Sequence, residues 1–142
     1  MISDRLGSML IEQVGSELTA HQTYMGISIH FERLSLKRWA ALFRAQSIEE
    51  AGHGEKIMAF LIDNEVSFDL PALHGATTHY TDATEALEAA LASELLVSGQ
   101  FDAMAAAAQV EEERTIRALL DLVNSGINLF QAEPLLESVG GD

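Results

Sequence analysis

The stretch that decides the fold runs from residue 43 to residue 56 and reads FRAQSIEEAGHGEK. It contains no proline, and its apolar positions step by three and four residues from Phe43 to Ile57, as on one face of a helix. Glu50 and His53 lie on that same face, one helical turn apart. The pattern therefore predicts a helix that directs a carboxylate and an imidazole toward the core.

The remaining sequence is also typical of helices. Only two prolines, Pro71 and Pro134, occur in the chain, and alanine, leucine and glutamate dominate. The predicted elements are a helix over residues 3–36, a helix over 37–64, a connection over 65–81, helical sequence over 82–124 and a short helix over 135–139. A connection of about 17 residues can span the whole second helix, so we expect the second and third helices to run parallel. We therefore predict an all-α protein with a single domain over residues 1–142.

The charge and composition exclude several classes of function. The chain has 142 residues, with 22 acidic against 8 basic side chains, a net charge of −14 and no cysteine. We expect neither nucleic acid nor a membrane as partner, because phosphate contacts need basic residues, whereas metal cations are favoured. Disulfides, thiolate metal sites and cysteine nucleophiles are excluded. No apolar run reaches about 18 residues, and the start, MISD, is typical of a cytoplasmic protein.

Three glutamates occupy positions that the helical pattern assigns to the core. They are Glu17, Glu50 and Glu94, and each is flanked on its face by large apolar residues. Burying an unpaired carboxylate is costly, and the pattern places no basic residue on the same face. A metal ion would supply the missing positive charge, and oxygen ligands with one imidazole, that of His53, suit iron or manganese. Glu-x-x-His with a glutamate from a neighbouring helix is the ligand set of di-iron sites in helical bundles.

Other interpretations of these residues stay open from the pattern alone. Glu49 and Glu50 are also compatible with an exposed acidic pair. The whole chain is compatible with a metal-free helical oligomerisation protein whose buried glutamates are protonated or paired. We expect His21, four residues after Glu17, to support the site rather than to bind metal. The histidines expected at the surface are His30, His74 and His79.

Several runs, in the same order, resemble bacterial non-haem ferritins. They are ELTAHQTY (17–24), HFE (30–32), FRAQSIEEAGHGEK (43–56), AALASE (89–94), QVEEE (109–113) and GINLF (126–130). The resemblance implies a ferritin-like four-helix bundle with a long crossover loop and a short C-terminal fifth helix. It also implies a ferroxidase that oxidises Fe(II) with dioxygen or hydrogen peroxide and stores the product as a ferric mineral. About 24 identical subunits would form the closed shell around that mineral.

The resemblance also implies a role for individual residues. It assigns Glu17, Glu50 and His53 to a first iron, Glu94, Gln109 and Glu112 to a second iron, and Glu49, Glu111 and Glu112 to a looser additional site. Glu50 would bridge the two irons of this di-iron centre, and Tyr24 would be a one-electron donor beside it. Gly52 stands where bacterioferritins carry a haem-ligating methionine, so no haem is expected. An alternative keeps the di-iron site but uses it to reduce peroxide without storing a mineral.

The length of the second half departs from the family pattern. Residues 82–124 are too few for two helices that match the first pair. Taken as one helix they would be about 64 Å long, with Glu94 and Glu112 about 27 Å apart. Against the family, about 18 residues, close to five helical turns, are missing between Ala108 and Gln109. Three explanations stay open: the sequence omits a segment of the molecule, the chain is a deletion variant, or its fused helix pairs with another subunit.

Overall fold

The computed structural model describes residues 4–100 and residue 121, with side chains described for 4–97 and 121. Three helices occur in this part of the chain: α1 (Asp4–Arg33), α2 (Lys37–Asp63) and α3 (Ala83–Gln100). No strand occurs among these residues, which confirms the predicted all-α class. The expected fourth and fifth helices fall outside the described residues. None of the described helices is both long and apolar enough to cross a membrane.

Helices α1 and α2 form an antiparallel hairpin without a glycine or proline in its turn. Ser35 adopts a left-handed conformation with φ of 60°, and the Leu36 N–H donates to the carbonyl of Phe31 at 3.1 Å. Because Ser35 turns the chain, Leu36 points back into the core and is buried. Further along the hairpin, the Ser28 hydroxyl donates to the carbonyl of Ala40 at 2.8 Å. These contacts fix the register in which the two helices face each other.

The connection between α2 and α3 runs along α1 from its N-terminal half to its C-terminal end. Pro71 packs against Gly15, and Thr77 crosses Gly26 so closely that a Cβ there would overlap the Thr77 carbonyl oxygen. The backbone N–H of Tyr80 then donates to Nδ1 of His30 at 3.2 Å. Because the connection ends where α1 ends, α3 starts beside the start of α2. Helices α2 and α3 are therefore parallel, as the length of the connection predicts.

A capping box starts α3. The Asp82 carboxylate accepts a hydrogen bond from the backbone N–H of Glu85 at 2.8 Å, and the Glu85 carboxylate accepts one from the N–H of Thr81 at 2.8 Å. The first bond satisfies a donor that the first turn of a helix leaves unpaired, and the second holds the residue before the cap against that turn.

The core consists of two apolar clusters separated by a polar layer. The larger cluster contains Tyr24, Phe31, Trp39 and Phe43, together with the buried alanines and leucines of α3. The smaller cluster joins Val14 of α1 to two buried residues of α2. Its α2 members are Ile57 and Leu61. The carboxylates of Glu17 and Glu50 lie in the layer between the clusters, with both residues fully buried.

Two predictions of burial were wrong. The spacing of three and four residues that joins Phe43 to Ile57 continues to Phe60 and predicts that it is buried, but Phe60 is 45% exposed, whereas Leu61 is fully buried. A face that repeats every 3.5 residues drifts around a helix that repeats every 3.6, so the buried row moves forward by one residue. His30, expected at the surface, is buried, because the connection before α3 covers it.

Candidate metal centre

Three side chains from two helices converge in the polar layer. They are Glu17 of α1 and Glu50 and His53 of α2, whose potential ligand atoms all lie within 4.8 Å of one another. The Nδ1 atom of His53 lies 3.6 Å from Oε2 of Glu17 and 3.4 Å from Oε2 of Glu50. This is the only such group of three among the described residues.

Each buried carboxylate has one oxygen that is hydrogen-bonded and one that is not. Oε1 of Glu17 accepts a hydrogen bond from the Gln13 side chain at 3.4 Å, and Oε1 of Glu50 accepts one from Gln46 at 3.1 Å. Both Oε2 atoms lack a hydrogen-bond partner among the described residues. These same Oε2 atoms face His53. Two buried anionic oxygens and an imidazole nitrogen therefore form a donor set that suits a hard divalent cation.

The electrostatics of the three groups favour a positive charge at their centre. Burial raises the pKa of Glu50, and the neighbouring Glu17 raises it further. The close approach of the Glu17 and Glu50 carboxylates raises the pKa of His53 to about 10. Without a metal, a proton on His53 therefore supplies the counter-charge at neutral pH. A cation that binds between these atoms takes over the role of that proton.

Two residues, each one helical turn from a buried carboxylate, join the two helices that carry the candidate ligands. The Ser47 hydroxyl donates to the carbonyl oxygen of His21 at 2.8 Å, and Nδ1 of His21 lies 2.8 Å from the carbonyl oxygen of Ser47. Since a carbonyl only accepts, Nδ1 of His21 carries the proton. His21 lies one turn from Glu17, and Ser47 lies one turn from Glu50. The pair therefore fixes the relative position of the two carboxylates.

Glu94 and Tyr24 extend the polar layer to α3. The Tyr24 hydroxyl donates to the Glu94 carboxylate and also lies 3.3 Å from the carbonyl oxygen of Ala90. Glu94 is fully buried, as its place on an apolar face predicts. Its carboxylate is not part of the three-residue group. The structure thus brings Glu17, Glu50 and His53 together and joins Glu94 to Tyr24, but it does not join Glu94 to the other three potential ligands.

Glu49 marks the outer side of the centre. Its side chain is half exposed, and its Oε1 atom lies 3.9 Å from Nε2 of His53. His53 itself is 22% exposed, so it lies between the buried pair and solvent. The remaining predicted ligands, Gln109, Glu111 and Glu112, fall outside the described residues. The expectation that no haem binds at Gly52 stays a prediction.

Sequence reasoning missed the residues that support the centre. Gln13, Gln46 and Ser47 were not singled out, although Gln13 and Gln46 each precede a predicted ligand by four residues. That spacing places an amide one turn before each carboxylate. This four-residue spacing is the feature of the sequence from which both glutamines could have been predicted.

Comparison with known proteins identifies the family. The family model described as the ferritin-like domain matches residues 8–125 of the chain. The chain belongs to the ferritin-like domain family. Relatives within it include ferritin BfrB of Mycolicibacterium smegmatis, which is 27% identical over 93% of this chain and 83% of its own length. Bacterioferritin BfrB of Mycobacterium tuberculosis is 26% identical over 89% of this chain and 80% of its own length. A bacterial non-heme ferritin of Bacteroides fragilis is 26% identical over 84% of this chain and 76% of its own length.

The mycobacterial alignments bear on the length of the second half. The alignment with the M. smegmatis ferritin spans 151 residues, but 93% of the 142-residue chain is only about 132 residues. About 19 aligned positions therefore have no residue in this chain. This number is close to the gap of about 18 residues expected from the resemblance to the family. Its position between Ala108 and Gln109 stays a prediction.

Proposed function

We propose that this protein oxidises Fe(II) to Fe(III) at the candidate centre and stores the product as a ferric mineral inside a homo-oligomeric shell. The observation that carries the proposal is the convergence of His53 Nδ1 with the two unpartnered oxygens of Glu17 and Glu50. Membership of the ferritin-like family and the ferritin names of the relatives support it.

The donor set suits iron in both oxidation states. Fe(II) is bound by the imidazole of His53 and the carboxylates of Glu17 and Glu50, and it displaces the proton that His53 holds. Anionic oxygen ligands favour Fe(III) over Fe(II), so the same ligands assist the loss of an electron to dioxygen or hydrogen peroxide. The glutamines that hold the second oxygen of each carboxylate keep both ligands in place without neutralising their charge.

The proposal includes a second iron beside the first. Glu94 is its ligand from α3, and Gln109 and Glu112 are the ligands proposed from the part of the sequence that follows. Glu49, with Glu111 and Glu112, forms the proposed additional site on the outer side of the centre. Tyr24 is the proposed one-electron donor of the centre. Its hydrogen bond to Glu94 supports that role, because the carboxylate can accept the phenolic proton.

We further propose that the whole chain is a single domain and that about 24 copies form a closed shell in the cytoplasm. Iron loading in air followed by gel filtration tests storage. If the protein stores iron, ferric iron elutes with the protein at the size of the shell, with many more than two irons per chain. Iron that elutes separately, after normal oxidation, would leave a di-iron enzyme that does not store a mineral.

A further inference from the structure

Aromatic rings form an unbroken series of contacts between the candidate centre and the connection before α3. Tyr24 stacks on Phe43 with 6.0 Å between ring centroids, and Phe43 stacks on Phe31 at 5.8 Å. Phe31 meets the ring of His30 edge-on at 5.2 Å, and His30 meets Tyr80 edge-on at 5.4 Å. All four spacings lie in the range of direct aromatic contact. The series therefore joins the only two tyrosines of the chain.

The two ends of this series differ in their surroundings. Tyr24 is fully buried, and its hydroxyl donates to the Glu94 carboxylate in the polar layer. Tyr80 lies on the connection and is only partly buried, so part of its side chain is exposed to solvent. Both are side chains that lose one electron and one proton readily. One redox-active group thus lies beside the centre and the other at the surface.

Trp39 forms a branch that contacts no further aromatic ring among the described residues. Its ring lies 5.2 Å from Phe31, and it is fully buried. Its Nε1 atom has no hydrogen-bond partner among the described residues. An oxidised Trp39 would therefore keep its proton and hold a positive charge in the apolar core, which is unfavourable. The route with a favourable end is the one through His30 to Tyr80.

We propose that this series of rings carries electrons from Tyr80 at the surface to Tyr24 beside the centre, so that a dissolved one-electron reductant restores Tyr24. The inference rests on the proposed oxidation of Fe(II). Rings in contact matter because the rate of electron transfer falls steeply with distance, and the series leaves no gap between the tyrosines.

The electron balance is simplest with hydrogen peroxide as oxidant. Its reduction to two waters needs two electrons and two protons. When the centre holds a single Fe(II), that ion supplies one electron and becomes Fe(III), Tyr24 supplies the other, and solvent supplies both protons. The phenolic proton of Tyr24 passes to the Glu94 carboxylate. Tyr80 then reduces the Tyr24 radical, and Tyr24 recovers its proton from Glu94. Tyr80 releases its own proton to water as it is oxidised. The dissolved reductant then supplies an electron to the Tyr80 radical, and solvent supplies the proton.

Single substitutions assign the radicals because the chain has two tyrosines. Full-length protein is mixed with Fe(II) and hydrogen peroxide, frozen at successive times and measured by electron paramagnetic resonance. We expect a tyrosyl signal that disappears in Tyr24→Phe. Ascorbate should remove this signal quickly in the wild type and several times more slowly in Tyr80→Phe, which keeps the ring and loses only the hydroxyl. His30→Gln, which retains an acceptor for the Tyr80 N–H but lacks an aromatic ring, should slow the removal as well.

A second arm tests the ring series without iron. Metal-free protein is illuminated with ruthenium tris(bipyridine) and persulfate, which oxidise exposed side chains. Because the rings let the two tyrosines exchange electrons, an oxidising equivalent that enters at Tyr80 of the wild type should be shared with Tyr24, whereas in Tyr80→Phe the Tyr24 signal should be lost. If Tyr24 is oxidised through Tyr80 in this experiment but the protein does not oxidise Fe(II), the relay is supported and the proposed function is wrong. A Tyr24 signal of equal strength in the wild type and in Tyr80→Phe, or an unchanged rate of ascorbate quenching in Tyr80→Phe, would overturn the relay.

Discussion

His21 and Ser47 join α1 to α2 by two hydrogen bonds of 2.8 Å, one helical turn from the buried carboxylates. The bonds are reciprocal, since each residue donates to the backbone carbonyl of the other. A reciprocal pair resists both sliding and rotation of the helices. The distance between Glu17 and Glu50 is therefore set by side chains that do not themselves belong to the ligand group.

Removing this pair should weaken metal binding. Ser47→Ala removes the side-chain hydrogen bond to the carbonyl of His21, and we expect it to lower the free energy of unfolding by about 1 kcal/mol. We also expect weaker binding of Co(II), measured by titration calorimetry. Ser67→Ala, at an exposed position of the connection, is the matched control and should change neither quantity. Unchanged Co(II) affinity in Ser47→Ala would show that the pair does not position the ligands.

Metal binding should release a proton at neutral pH. Because the pKa of His53 is raised to about 10 by its two carboxylate neighbours, the incoming cation must displace a proton. The affinity for Co(II) should then rise about tenfold per pH unit between about pH 7 and 9. Calorimetry in buffers of different ionisation enthalpy counts the protons released. His53→Ala should bind weakly with no such pH dependence, and a flat profile in the wild type would contradict the assignment.

The metal-free protein should lose stability as the pH rises. The folded-state pKa of His53 lies above its ordinary value, so its contribution is complete below about pH 6.5 and is lost as the pH approaches 10. The raised pKa of Glu50 acts in the same direction, from about pH 4.5 upward. Thermal unfolding with a chelator, at pH 6 and pH 9, measures the effect. In His53→Gln the loss of stability between pH 6 and pH 9 should be smaller than in the wild type. His74→Gln, which changes an exposed histidine, is the control and should lose as much stability as the wild type.

Two glycines in the helices should respond in opposite ways to alanine. At Gly26 a methyl group would overlap the carbonyl of Thr77, so Gly26→Ala should displace the connection and destabilise the protein by about 1–3 kcal/mol. At Gly52 a methyl group meets nothing within 4 Å, and Gly52→Ala should stabilise α2 by up to about 1 kcal/mol. Urea unfolding of both variants checks the contrast. Equal effects would show that the connection does not depend on Gly26.

The sequence predicts the helices and the ligand faces because both depend on local periodicity. Glu17, Glu50 and Glu94 could be placed in the core because each lies between apolar residues on its own helix. Burial that depends on distant segments could not be predicted in this way. His30 is covered by a connection 50 residues later in the chain, and the turn at Ser35 lacks the glycine that usually marks a left-handed residue.

The most direct test of the account follows the absorbance of ferric iron while Fe(II) is added in air to metal-free protein. Wild-type protein should show a fast phase that saturates near two irons per chain. Glu50→Ala should abolish that phase, whereas Glu55→Ala, at an exposed position of the same helix, should retain it. A wild-type rate equal to that of buffer, or an unchanged fast phase in Glu50→Ala, would contradict the claim that Glu17, Glu50 and His53 form a centre for iron oxidation. The rate equal to buffer would favour a metal-free helical oligomerisation protein.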